Sequence, residues 1–169
     1  NITDPTAITA TDDEEDGSNG FTMLNGAASV DTFVIGSSTY AIVVSEVDNG
    51  VQMIDISDPA NIVAKDAETD GANGFTELDG AEDVDTFTCG SRTYAIVVGS
   101  ADDGVQLIDV SDPANIVAVD AETDGVNGFT MLDGAYNVEA FTIGSKQYAI
   151  VTSFSDDGVQ MIEMPCRNS

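Results

Sequence analysis

An acidic segment occurs three times in the chain, and its residues are of the types that bind calcium. In the middle copy, carboxylates at alternate positions, Asp66, Glu68 and Asp70, are followed by Gly71 and Asn73. Calcium prefers oxygen ligands, and the front of a calcium loop has inward-pointing ligands at alternate positions before a glycine that permits a sharp turn. The candidate calcium ligands of the three copies are Asp12, Glu14, Asp16, Asn19, Asp66, Glu68, Asp70, Asn73, Asp120, Glu122, Asp124 and Asn127.

An EF-hand is not expected around these segments, because no helical periodicity flanks them. The final ligand of such a loop is a glutamate, and Glu77 stands at that position in the middle copy. Met23 and Met131 occupy the same position in the other two copies. The alternative interpretation is that the Asp-Gly and Asn-Gly pairs mark turns in an acidic loop. Calcium is the one cofactor that the sequence indicates.

Two further sets of carboxylates recur in the copies. The first set stands two residues before a phenylalanine on a predicted strand and could surround the mouth of a channel: Asp31, Asp85 and Glu139. The second set closes another predicted strand and is expected to accept hydrogen bonds from turn amides: Asp55, Asp109 and Glu163. An acid and base pair needs carboxylates in unequal environments, so this recurrence is better explained by repetition of the fold than by catalysis.

The absence of histidine also bears on catalysis. With no histidine in the chain, a Ser-His-Asp or Cys-His mechanism and a histidine-ligated zinc site are excluded. The sequence therefore predicts a protein that is not an enzyme.

The spacing of these residues reveals a repeat. Pro5, Pro59 and Pro113 lie 54 residues apart, and residues 59–112 match residues 113–166 at 35 of 54 positions without a gap. A fixed period of this length is typical of repeat architectures, in which each unit buries its apolar face only against its neighbours. We predict one repeat domain over residues 1–169, with units at about 21–68, 75–122 and 129–164, an edge strand at 1–10 and a tail at 165–169.

Each unit is predicted to be a four-stranded antiparallel meander, which makes the chain all-β. In the middle unit, residues 81–89 alternate with a period of two, and residues 93–98 form an apolar run typical of a strand covered on both faces. Asp103 and Gly104 supply a hairpin turn before a third strand at 105–110. A fourth strand, shorter and more polar as an edge strand should be, begins at residues 116–119.

Tandem four-stranded meanders are the construction of a β-propeller, and the motifs carry a family resemblance. The elements YAIV and GVQLIDVSDPANIVA, the latter at residues 104–118, resemble those of the LVIVD-repeat β-propellers. The chain departs from the usual pattern of that family by an insertion between the fourth strand and the next unit, at residues 69–80 in the middle copy. The resemblance implies an extracellular or cell-surface propeller of mostly non-catalytic role.

Three units are fewer than the roughly four to eight blades of known propellers. Residues 1–10 align with the edge strand that follows the other units, whereas the last unit stops after its third strand, residues 158–164. We expect residues 1–10 of one chain to complete the last unit of another, which gives a closed ring of two chains or a head-to-tail fibre. The alternatives are a fragment of a longer chain and a stack that is not a propeller.

The charge is extreme: 31 Asp and Glu residues against four Lys and Arg residues give a net charge of −27. Such a surface disfavours nucleic acid and anionic membranes as partners, and no apolar run is long enough to span a membrane. It fits a solvated acidic surface of a secreted or salt-adapted protein, and it is also compatible with calcium binding. Asn1 begins an N-glycosylation sequon with Ile2 and Thr3, which favours an exported protein.

The two cysteines allow two interpretations. Cys89 replaces Ile35 and Ile143 in the repeat alignment, as a buried small apolar residue would. A bridge between Cys89 and Cys166, within one chain or between two, is the alternative.

The sequence thus favours a secreted or cell-surface structural protein that assembles through residues 1–10 and 158–164. The second hypothesis is a calcium-binding or carbohydrate-binding module of a larger surface protein, with a glycan as partner.

Overall fold

The computed structural model describes residues 9–166. Over this range eleven strands form three antiparallel sheets, which confirms the all-β prediction. The first sheet contains β1 (Ala27–Ile35), β2 (Ser38–Ser45), β3 (Gly50–Asp55) and β4 (Val63–Thr69). The middle sheet contains β5 (Ala81–Cys89), β6 (Arg92–Gly99), β7 (Gly104–Asp109) and β8 (Val117–Thr123). The third sheet contains β9 (Ala135–Ile143), β10 (Lys146–Ser153) and β11 (Gly158–Met164).

In each sheet the strands pair in chain order, hairpin after hairpin, as a meander. The turns before the third strands adopt the backbone conformation predicted from their Asx-Gly pairs. Asn49, Asp103 and Asp157 have φ angles of 54°, 55° and 53°, a left-handed region that asparagine and aspartate tolerate better than most residues. The glycines that follow them begin β3, β7 and β11, so the Asx residue rather than the glycine makes the turn.

The fourth strands are longer than predicted. β4 and β8 each have seven residues, against six in β3 and β7. They extend through the acidic segment because β4 pairs with the whole of β3, from Val63 opposite Asp55 to Thr69 opposite Gly50. The prediction that Asp66 and Glu68 lie in a loop is therefore wrong, and so is the same prediction for Asp120 and Glu122.

The third strand of the middle sheet ends at Asp109 rather than at the predicted Val110. The Asp109 carboxylate accepts a hydrogen bond from the backbone N–H of Ser111 at 3.0 Å. This local turn of the aspartate type ends the strand.

The core lies between the sheets. Ile42, Val44, Val51 and Met53 of the first sheet pack with a cluster that includes Ala95, Val97, Ile108 and Ile116 of the middle sheet. On the other side, Ile96 and Val98 of β6 pack against the third sheet. Successive β6 side chains thus enter two different clusters, which explains why this strand is an uninterrupted apolar run.

Cys89 and Cys166 form a disulfide within the chain, so the bridged alternative holds. Cys89 ends β5 in the middle sheet and is buried, whereas Cys166 follows β11 of the third sheet. The bond therefore fastens the end of the third sheet to its neighbour. Among residues 9–166, no helix is long and apolar enough to cross a membrane.

Candidate functional site

The acidic segments make the same internal hydrogen bonds in all three copies. The glutamate accepts a bond from the side-chain amide of the asparagine five residues later at 2.9 Å each time, in the pairs Glu14 and Asn19, Glu68 and Asn73, and Glu122 and Asn127. The aspartate two positions after it accepts a backbone N–H at 3.1–3.2 Å, in the pairs Asp16 and Leu24, Asp70 and Leu78, and Asp124 and Leu132. These carboxylates hold the turn in shape, as the alternative interpretation predicts.

The structure does not gather the predicted calcium ligands around one point. Within residues 9–166, no group of three or more His, Cys, Asp or Glu side chains is arranged to hold a metal ion. Calcium binding therefore stays a prediction.

The first aspartate of two of the segments bonds to the residue just before a neighbouring fourth strand. The Asp66 carboxylate of β4 accepts the backbone N–H of Ile116 at 2.8 Å, and the Asp12 carboxylate accepts that of Ile62 at 2.7 Å. In the part of the chain that the structure describes, the Asp120 carboxylate accepts a hydrogen bond only from the N–H of Ala121. Asp120 thus lacks the partner across the sheets that Asp12 and Asp66 have.

Residues 9–15 occupy the position of a fourth strand without being one. They align with β4 and β8 at the repeat distance of 54 residues, and Asp12 contacts the first sheet as Asp66 contacts the middle sheet. No strand pairs with this segment in the described range, and most of its residues are exposed. Its backbone hydrogen-bonding groups are therefore available to a partner strand.

The third sheet has the complementary gap. Among residues 9–166, β11 pairs with β10 on one side, and no strand pairs with its other edge. In β3 and β7, Gln52 and Gln106 are fully buried, and each side-chain amide donates to a backbone carbonyl of the fourth strand at 2.9 Å. Gln160 of β11 is only partly buried, and its amide donates to the carbonyl of Met161. The third sheet therefore presents an open strand edge.

Two carboxylates on the first strands of their sheets, β1 and β5, bond to the neighbouring sheet. Asp31 of β1 accepts the backbone N–H of Thr86 at 2.8 Å, and Asp85 of β5 accepts that of Ala140 at 2.6 Å. Burial raises the pKa of Asp85 above its ordinary value. These contacts give the first two members of the predicted ring a role in packing the sheets.

The carboxylates of the third strands behave as predicted in two of the three sheets. Asp55 and Asp109 accept the backbone N–H of Ser57 and Ser111 at 3.0 Å, and hydrogen bonds from Ser57 lower the pKa of Asp55. Glu163, which is followed by Met-Pro rather than by a serine turn, pairs instead with Lys146 at 2.6 Å.

The burial and the raised pKa of Glu77 were not predicted from the sequence. Burial, together with the negative charges of Asp102 and Asp70, raises the pKa of Glu77 to about 7. Its Oε2 atom is buried without a hydrogen-bond partner and lies where a side chain on Gly104 would have to be. The sequence carries a signal of this burial, because the equivalent positions 23 and 131 are methionine. A carboxylate that replaces an apolar residue is desolvated.

Comparisons with known proteins bear on the fold. No family model and no curated protein matches the chain. Two structures of an exo-β-1,3-galactanase from Phanerochaete chrysosporium, one with galactose and one with β-1,3-galactotriose, match with TM-scores of 0.59 and 0.58 at 12% identity. They show the fold alone.

The galactanase matches include 94% of this chain and only 39% of the enzyme's chain. The likeness supports a β-propeller-like all-β fold for the three sheets. The resemblance to the LVIVD-repeat family stays a prediction.

Proposed function

We propose that the protein is a non-enzymatic structural protein that assembles by strand exchange, with residues 9–15 of one copy completing the third sheet of another. The observation that carries the proposal is the complementarity of two unpaired elements. Within residues 9–166, β11 has an open edge, and residues 9–15 have the sequence and the sheet contact of a fourth strand but no strand beside them. Pairing would supply main-chain hydrogen bonds to both.

The repeat defines the register of this pairing. β3 and β7 pair with β4 and β8 identically: Val51 lies opposite Glu68, and Val105 lies opposite Glu122. A shift by the repeat distance places Val159 of one copy opposite Glu14 of the other. In the same register, the Gln160 amide would donate to the backbone carbonyl of Asp12, as Gln52 donates to that of Asp66.

The apolar faces of the first and third sheets also favour a second copy of the chain as the partner. Ile150, Val159 and Met161 are 36–57% exposed, whereas the equivalent Ile96, Val105 and Leu107 are only 2–7% exposed because the third sheet covers them. The first sheet of a second copy would cover the face of the third sheet in the same way. The face of the first sheet turned away from the middle sheet carries exposed Val30 and half-buried Val43, and burying both faces together is favourable.

Strand exchange of this kind allows two kinds of assembly, a closed ring and an open fibre. Two copies with three sheets each would form a ring of six, within the roughly four to eight blades of known propellers. Repetition without closure would form a fibre.

We also propose an extracellular or cell-surface location, which the disulfide supports because such bonds persist in oxidising compartments. The predicted glycosylation site Asn1 and most of the predicted edge strand 1–10 lie outside the described residues.

Light scattering of a double variant tests the proposed assembly. Val159→Asp with Met161→Asp places charges on residues that are exposed in one chain and would be buried in the assembly, so we expect a folded monomer in place of a dimer or polymer. Val63→Asp with Val126→Asp is the matched control, because these residues are similarly exposed and do not line the groove beside β11. A wild-type monomer, or an unchanged mass for the first variant, would overturn the proposal.

Calcium binding, with or without a carbohydrate partner, is the second candidate function. The Oε2 atom of Glu77 favours it, because this oxygen is buried without a hydrogen-bond partner. Since no three carboxylates of residues 9–166 are arranged around one point, a divalent cation would have to draw Asp70 and Asp102 towards Glu77. Calorimetry at millimolar calcium should show binding by the wild type and none by Glu77→Met. Absence of heat for the wild type would count against this candidate.

A further inference from the structure

A groove of about 180 Å³ lies between the middle and third sheets, beside the open edge of β11. Its apolar side chains are called the socket here: Ile96, Val105, Leu107, Phe129 and Ile162. Asp120, Glu122 and Glu163 line the groove as well. A largely apolar groove lined in part by carboxylates suits an apolar side chain whose backbone N–H can donate to one of them.

The equivalent place between the first and middle sheets is already filled. Ile116, which precedes β8, is 3% exposed and packs in the cluster that contains Ile42, Val51 and Met53. These three residues are the repeat equivalents of Ile96, Val105 and Leu107 in the socket. The N–H of Ile116 donates to the carboxylate of Asp66, the equivalent of Asp120.

We propose that Ile8 of a second copy fills the socket, with its backbone N–H donating to the Asp120 carboxylate. Ile8 stands 54 residues before Ile62 and 108 before Ile116, and Pro5 precedes it as Pro59 and Pro113 precede those residues. Ile8 lies outside the described residues, so its assignment comes from the repeat. The inference rests on the proposed function, since Ile8 directly precedes the segment that would pair with β11.

The occupant must come from another copy because of where residues 9–15 lie. Asp12 bonds to Ile62 of the first sheet, and Glu14 to Asp16 line the face of that sheet that carries Val43 and Ile54. That face is opposite to the one packed on the middle sheet, since Val43 and Ile54 belong to a separate cluster. The socket lies beyond the middle sheet, so the first and middle sheets separate it from residues 12–16 of the same chain.

Sedimentation equilibrium of Ile8 variants tests this assignment. Ile8→Asp should raise the dissociation constant of the assembly at least about tenfold, because it places a charge in an apolar groove next to Asp120. Ile8→Val should change it only slightly. Thr6→Asp is the control of equal charge, since the equivalent Ala60 and Ala114 are exposed, and it should assemble as the wild type does.

The possible outcomes distinguish the assignment of Ile8 to the socket from the proposal of strand exchange. If Val159→Asp with Met161→Asp abolishes assembly and Ile8→Asp has no more effect than Thr6→Asp, the socket assignment is wrong and strand exchange stands. If none of these variants changes the mass, or if the wild type is a monomer, both proposals fail. Ile8 belongs in the socket only if Ile8→Asp weakens assembly and Ile8→Val does not.

Discussion

Gln106 and Gln160 occupy the same position in neighbouring sheets, yet Gln106 is fully buried and Gln160 is only partly buried. Both accept a backbone N–H through the side-chain oxygen, from Thr76 at 3.0 Å and from Thr130 at 3.2 Å. Only Gln106 also donates to a fourth strand, at the carbonyl of Asp120. The difference between the two glutamines is therefore the fourth strand that covers one of them.

The two glutamines should respond differently to alanine substitution. Gln106→Ala leaves the N–H of Thr76 and the carbonyl of Asp120, both in partly buried hydrogen bonds, without this partner. We therefore expect it to lower the free energy of unfolding by about 1–3 kcal/mol. Gln160→Ala should cost less than about 1 kcal/mol in the isolated chain, because its surroundings are hydrated, and should weaken the assembly. Urea unfolding of dilute protein measures the first effect and light scattering the second. Equal losses of stability in dilute protein would contradict this account of Gln160.

Glu77 should make stability depend on pH. Its pKa is about 7 in the folded chain against an ordinary value of 4.5, so the native state binds more protons between these values. The free energy of unfolding should therefore fall as pH rises through this window and stay low above it. Burial also raises the pKa of Asp102, which adds in the same direction.

Replacing Glu77 with the residue of the other copies should remove this dependence. Glu77→Met should stabilise the chain at pH 8 by about 1–3 kcal/mol, allowing for the partial exposure of the side chain. At pH 4 its effect should be smaller, because Glu77 is then protonated. Met23→Leu serves as a control for packing at an equivalent site. A pH profile that is the same for Glu77→Met and the wild type would show that Glu77 is not the titrating group.

The disulfide should contribute substantially to stability. It joins residues separated by 77 positions, and a loop of that length predicts a contribution of about 2–4 kcal/mol. A reducing agent should lower the melting temperature of the wild type and should not affect Cys89→Ala with Cys166→Ala. A second double variant, Cys89→Ile with Cys166→Ala, restores the residue type of Ile35 and Ile143 at position 89. It should recover part of the packing. No change on full reduction of the wild type would contradict the expected contribution.

The sequence predicted the sheets better than it predicted the site. The 54-residue repeat, the apolar run of β6 and the Asx-Gly turns determine the meander through local geometry and burial, which are visible in one chain. The role of Asp66 was not predictable, because its partner Ile116 lies 50 residues away in another sheet. Glu77 was visible only as a departure from methionine, and its pKa depends on side chains that the fold brings together.

A register-specific cross-link tests strand exchange most directly. Val159→Cys with Glu14→Cys places two cysteines opposite each other in the proposed pairing, as Val51 is opposite Glu68, at a separation that a disulfide can span. On a non-reducing gel we expect covalent dimers or a ladder of larger species. Val159→Cys with Asp13→Cys, in which the second cysteine is one residue out of register, should cross-link far less. Equal cross-linking of the two pairs, none in either, or a bond closed within single chains would contradict the proposal.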